Sequence, residues 1–145
     1  MVSAESLTHQ QTFKVSTTGR ASHEITDEIA EVVRASGIDV GTVHVLLQHT
    51  SASLMICENA DPDVRRDLED FFGRLVEDGD PRFRHRSEGD DDMSAHVRSV
   101  LTHTDLTLPI NAGHLALGTW QGIYVWEHRY RGYDRSLVVT AHGHG

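Results

Sequence analysis

The order in which hydrophobic periodicities change along the chain constrains its fold more than any other feature. Ile25, Ile29, Val32 and Val33 fall at i, i+4, i+7 and i+8, one face of an amphipathic helix, and Gly37 stands where such a helix stops. Residues 8–18 before it alternate Thr, Phe and Val as a strand does, and residues 42–49 after it form a β-rich run. Residues 53–57 read as that run's neighbouring strand. Asp61-Pro62 starts a second helix, because Asp caps free N–H groups and Pro suits the first helical position. Val64, Leu68, Phe71, Phe72 and Leu75 supply the stripe that this helix is expected to bury. Residues 77–92 form a polar loop, and Met93, Val97, Val100 and Leu101 predict a short third helix with its apolar side inward. Residues 105–110, 114–129 and 135–142 are β-like. Helices that alternate with strands early, followed by strands alone, predict an α+β fold with a mixed or antiparallel sheet.

At 145 residues the chain fits one domain, 1–145, and is short for a (β/α)₈ barrel, which takes about 250. Its net charge of −9 makes nucleic acid a poor partner. No apolar run approaches the roughly 20 residues of a membrane helix, and Met1 to Ser6 lack the pattern of a secretory leader. The single cysteine, Cys57, suits a reducing, cytoplasmic setting and reads as an inert packing residue. The 11 histidines point either to pH sensing or to imidazoles that bind something.

Three of them carry the chemistry. His49 ends the row of Val43, Val45 and Leu47, just before a hydroxyl-rich turn in which Thr50, Ser51 and Ser53 can donate to an anionic oxygen; a core histidine beside a Ser/Thr turn fits the same pattern. His85 lies in the basic segment 82–86, where a solvated loop histidine is the plainer reading. His96 projects from the expected apolar side of the third helix, with Asp92 at i−4 able to hydrogen-bond its ring or simply to cap the helix. A strand end, a loop and a helix each giving one imidazole would match an open zinc site, although their spacing follows no known motif. Glu127 shares the strand face of Ile123 and Val125, where a carboxylate must be paired or functional. Arg129, Arg131 and Arg135 can clamp a phosphate, or one of them can pair with Glu127. Gly118 and Gly122 bracket Thr119-Trp120-Gln121 and suggest a bend or a close backbone approach.

The runs Leu46-Leu-Gln-His-Thr-Ser-Ala-Ser-Leu54, Glu58-Asn-Ala-Asp-Pro62, Glu88-Gly89 with Asp91-Asp-Met93 and His96, and Leu117-Gly-Thr-Trp-Gln-Gly-Ile123 closely resemble the YjbQ-like family, whose members are known as secondary thiamine-phosphate synthase enzymes. The resemblance runs from about Thr8 to Val139 with the motifs in order. It implies packed β-sheets with flanking helices, assembled as a homotrimer. It also implies a divalent metal, zinc or magnesium, on His49, His85 and His96. Glu127, Glu58 and Asn59 would be the catalytic positions, and Thr50, Ser51, Thr119, Gln121, Arg129 and Arg135 would hold a small phosphorylated substrate. The implied reaction joins a pyrimidine diphosphate to a thiazole phosphate with release of pyrophosphate, as a weak or secondary capability. A metal-dependent hydrolase and a non-catalytic metal- or ligand-binding trimer are the alternatives. The chain departs from the family pattern at Ser94-Ala95 and at Arg86, where a common Asp that could orient His85 is missing.

Overall fold

A computed structural model describes residues 5–145; the expectation drawn from residues 1–4 lies outside them. The first strand, β1 (Ser6–Ser16), is followed by β2 (Ala21–Glu24) and then by the first helix, α1 (Thr26–Ser36). Helix α1 forms as its periodicity requires. Ile25, Ile29, Val32 and Val33 are each at most 1% exposed, and burial of such side chains stabilises by about 1.5–3 kcal/mol each. Gly37 ends the helix at φ 71°, the left-handed geometry that glycine adopts without a Cβ clash.

Two strands follow, β3 (Val40–Leu47) and β4 (Ala52–Glu58), then α2 (Pro62–Leu75) and α3 (Asp90–Leu101). The chain closes with β5 (Asp105–Asn111), β6 (His114–Leu115), β7 (Gln121–Glu127) and β8 (Asp134–His144). Every strand pairing is antiparallel. The strands form a five-stranded sheet in the order β1-β8-β3-β5-β6 and a three-stranded sheet in the order β2-β7-β4. The expected pairing of residues 42–49 with 53–57 does not form, because the turn after Leu47 carries the chain from one sheet to the other. The run 114–129 is also not one strand, since residues 116–120 leave the ladder between β6 and β7.

Val43, Val45 and Leu47 of β3 point inward as their alternation predicts, joining Ile123 and Val125 of β7, Leu137, Val139 and Ala141 of β8, and the face of α1 in one apolar cluster. The three-stranded sheet is covered on its other face too, where Met55, Tyr124 and Trp126 meet Leu68 and Phe72 of α2. Among the described residues, no helix is long and apolar enough to cross a membrane.

The other two helices depart from expectation. Helix α2 begins as predicted, with the Asp61 side chain accepting from the Asp63 N–H at 2.9 Å, yet it buries no residue. Phe71 and Leu75 are 51% and 57% exposed, because only the Leu68–Phe72 side reaches the sheet. Helix α3 is turned over: Asp91, Asp92, Ser94, Ala95, Arg98 and Ser99 are buried, while Val100 is 85% exposed. Most of its inward polar groups are paired, which makes their burial tolerable, while Arg98 Nε has no partner among the described residues. Arg98 Nη1 donates to Glu69 Oε2 at 2.6 Å, Ser99 Oγ donates to the Ala52 carbonyl at 3.1 Å, and Ser94 donates to Asp78.

Candidate metal centre

The two-layer frame brings the loop before α3 against the first turns of that helix. Here His85 Nε2 lies 2.7 Å from Asp92 Oδ2, and His96 Nε2, one helical turn on, lies 3.3 Å from the same oxygen. One ligand atom from each of the three residues falls within 4.8 Å of the others. A tetrahedral ion with bonds of about 2.0–2.1 Å separates its ligand atoms by roughly 3.3–3.4 Å, so small side-chain movements fit the set to one cation. Asp92 is 2% exposed, and its other oxygen accepts from Arg129 Nη1 at 2.8 Å, which fixes the carboxylate orientation. Burial pushes the Asp92 carboxyl up, but hydrogen bonding with His85 and the nearby His96 and Arg129 charges hold it below the usual carboxylate range. Glu88 Oε2 stands 3.6 Å from His85 Nε2 at the exposed side. The carboxylate missing at Arg86 is thus supplied to His85 by Asp92 instead.

His49 does not belong to this set. Its Nε2 accepts the Ser136 N–H at 2.8 Å, which occupies the lone pair that a metal would need. Burial first, and the Arg135 charge second, lower the pKa of the His49 imidazole below its usual value, against the opposing Glu127 charge. His49 and His96 nevertheless line one cleft of about 380 Å³, together with Thr50, Ser99, Val100 and Thr104. Of the expected trio, the structure brings His85 and His96 together beside Asp92 and leaves His49 apart.

The other expected site residues divide between two places. Glu127 is fully buried and accepts from Arg135 Nε at 2.8 Å, from Arg135 Nη2, from Thr17 Oγ1 at 2.7 Å and from the Arg129 N–H at 3.2 Å. That is the ion pair which was the plainer reading of its position, and it leaves no free catalytic carboxylate. Arg135 also donates to the Ser51 carbonyl. Arg129 donates to Asp91, Asp92 and the Glu88 carbonyl. Neither guanidinium stands free to clamp a substrate phosphate. Thr50 is exposed in the turn between the sheets, at the mouth of the His49 cleft.

Glu58, Asn59, Thr119 and Gln121 lie at the opposite end of the small sheet. The register pairs Ala52 with Glu127 and Glu58 with Gln121, so the two ends are about 20 Å apart at roughly 3.3 Å per residue. Glu58 accepts from the Ala60 and Asp61 N–H groups at 3.0 and 2.6 Å and shapes the entry to α2. Asn59 Nδ2 donates to the Thr119 and Gln121 carbonyls at 3.3 and 3.4 Å, and Gln121 Oε1 accepts from the Gly118 N–H at 2.8 Å. The close approach expected of the glycine pair is real at Gly122, where a Cβ would sit 2.9 Å from Glu24 Oε2, while Gly118 has no such contact. In this chain the motif builds a turn.

Sequence reasoning missed two pairings that the structure makes. Asp92 was placed beside His96 but not beside His85. The second pairs His128, fully buried, with Ser53 across 2.8 Å between Nε2 and Oγ. Burial, and then the charges of Arg98, Arg20 and Arg135, push this imidazole down to about 3. Every residue of β7 from Gly122 to Glu127 is buried, and His128 extends that run one residue past the strand.

The chain belongs to the YjbQ-like UPF0047 protein family, whose model matches residues 11–144. A UPF0047 protein of Synechocystis is 48% identical over 135 residues, covering 93% of this chain and 92% of the relative. The UPF0047 protein YjbQ of Escherichia coli O157:H7 is 43% identical, covering 93% and 98%. Among solved structures, a YjbQ-like protein of unknown function from Sulfolobus solfataricus superimposes with TM-score 0.86 at 23% identity, covering 96% of this chain and 99% of that one, which supports the fold. These relatives are named as UPF0047 proteins or as proteins of unknown function, and none of those names carries a thiamine-phosphate synthase activity or a metal-dependent reaction. The expectation of that condensation, and of a metal-dependent hydrolase as its alternative, is corrected accordingly. The internal pairing of Glu127, Arg129 and Arg135 engages three of the groups that the condensation was to use.

Proposed function

We propose that the protein binds a divalent transition-metal cation through His85, Asp92 and His96. The observation that carries this reading is the single buried oxygen, Asp92 Oδ2, turned toward the Nε2 atoms of both imidazoles while Arg129 holds its partner oxygen. Two imidazole nitrogens and one carboxylate oxygen suit zinc and neighbouring transition metals. Magnesium prefers an all-oxygen octahedron and is a poor match. Glu88 or a solvent molecule completes the coordination. The test is thermal unfolding of metal-stripped protein with and without zinc. A ligand that binds only the folded state raises Tm with its concentration. The proposal expects a saturable rise that Asp92→Asn and His96→Ala remove, and an equal rise in those variants overturns it.

We further propose that the chain self-associates, as a homotrimer, through the outward apolar side chains of α2 and α3. Phe71, Leu75, Val100 and Leu101 are all more than half exposed, an arrangement that favours an apolar partner surface. The free thiol of Cys57 fits a cytoplasmic setting.

A further inference from the structure

We propose a small-molecule oxyanion site, selective for a compact phosphate monoester, in the cleft between the β2 edge and the first turns of α2. The cleft holds about 290 Å³, and Trp126 and Ser22 lie on its sheet side while Arg65 and Arg66 lie on its helix side. None of these residues belongs to the His85, Asp92 and His96 set, and Arg129 and Arg135 are absent from the lining.

Arg65 is the anchor. Its Nη1 donates to the Glu58 carbonyl at 2.8 Å and to the Tyr124 hydroxyl at 3.0 Å, and its guanidinium carbon lies 4.8 Å from the Tyr124 ring centroid. Two neutral acceptors and an aromatic face therefore orient the guanidinium without neutralising it. Among the described residues, its Nε and Nη2 make no hydrogen bond. That pair of N–H groups is the fork that binds a phosphate or carboxylate through two parallel hydrogen bonds.

The charges around it leave room for an anion. Glu69, the acid in the lining, is held from beneath by Arg98 Nη1 at 2.6 Å and by Trp126 Nε1 at 3.3 Å. Arg20, also in the lining, is matched by Asp78 at 2.7 Å. Arg66 pairs with Asp63 at 3.1 Å, but both side chains are mostly exposed, where such pairs are weak. The cleft therefore presents one uncompensated guanidinium and a second that is loosely held, in a chain whose net charge is −9.

Local helix physics argues that this placement serves something other than stability. Arg65 and Arg66 sit in the first turns of α2, where the helix dipole disfavours cations. The cost is lowered when an anion binds beside them. Two guanidiniums and the Ser22 hydroxyl, which makes no side-chain hydrogen bond among the described residues, match a dianion with several acceptor oxygens better than a single carboxylate, and the volume of about 290 Å³ admits a phosphate with only a small organic group.

The site is tested with Trp120→Phe protein, in which Trp126 is the remaining indole. Metal-stripped protein is titrated with n-propyl phosphate, propionate and n-propanol, following Trp126 fluorescence and the heat of binding. The proposal expects saturable binding of the phosphate ester, at least tenfold weaker binding of propionate, and no response to n-propanol. Arg65→Gln and Arg65→Lys each weaken the phosphate ester at least tenfold, since lysine keeps the charge but loses the fork. Arg66→Gln, at an exposed position, weakens it a few-fold, and parent-like thermal unfolding of the Arg65 variants separates lost binding from misfolding. Equal affinity in Arg65→Gln and parent protein, or a response that never saturates, overturns the site. A response that appears only after zinc is added also overturns it, while leaving the cation at His85, Asp92 and His96 intact.

Discussion

Arg135 and Glu127 form an ion pair that is closed off from solvent, with side-chain exposures of 3% and 0%. Thr17 Oγ1 and the Arg129 N–H complete the hydrogen bonding of the carboxylate. A buried charge left without its partner costs about 3–5 kcal/mol. Glu127→Gln should therefore lower the stability to urea by that order, and parent-like stability in the variant would show that the pair is not structural.

His128 links stability to pH. Its folded-state pKa of about 3 lies below its ordinary 6.5, so the unfolded chain binds the proton first. The contribution of His128 is fully present above about pH 6.5 and drains away as the pH falls toward 3, at about 1.4 kcal/mol per pH unit. Urea unfolding of parent and His128→Gln between pH 6 and pH 4 measures the difference. Identical pH slopes would mean that His128 is not held neutral by its surroundings.

The outward side chains of α2 predict an assembly that can be broken without unfolding the chain. Phe71→Asp combined with Leu75→Asp removes apolar area that the single chain leaves in solvent, so folding stability should change little. Sedimentation velocity should show the parent as a trimer and the double variant as smaller. A parent that sediments as a monomer would remove the proposed self-association.

These results show where hydrophobic patterning is informative. Helix α1 and the inward row of β3 were legible because each buries apolar groups on one regular face. Helix α3 was not, because Arg98, Ser99 and Ser94 are buried through bonds to Glu69, Ala52 and Asp78, and periodicity cannot see partners distant in sequence. The stripe of α2 was read correctly as a stripe and wrongly as buried, since an apolar face does not say what covers it. At the site, the i−4 spacing of Asp92 from His96 was visible in the sequence. The reach of His85 back to Asp92 depends on a loop path that spacing does not encode, and the Ser136 N–H that occupies His49 lies 87 residues away along the chain.

Asp78 ties that loop path to the body of the protein, accepting from Arg20, Ser94 and Tyr130. Burial pushes this carboxyl up, but hydrogen bonds from these three groups and the Arg20 charge hold it far below the usual carboxylate range. Asp78→Ala should speed amide hydrogen exchange across residues 78–89 and weaken zinc binding through misplacement of His85. Unchanged exchange in that segment would show that Asp78 does not hold it.

The most direct measurement of the proposed cation site is bound zinc per chain, taken by equilibrium dialysis and metal analysis of parent, Asp92→Asn, His96→Ala and His49→Ala. Three protein groups around one ion predict about one zinc per chain for the parent. Asp92→Asn and His96→Ala should lose it. His49→Ala should keep it, because the His49 lone pair is engaged by Ser136. Zinc retained by Asp92→Asn and lost from His49→Ala would contradict the assignment and restore the three-histidine site in its place.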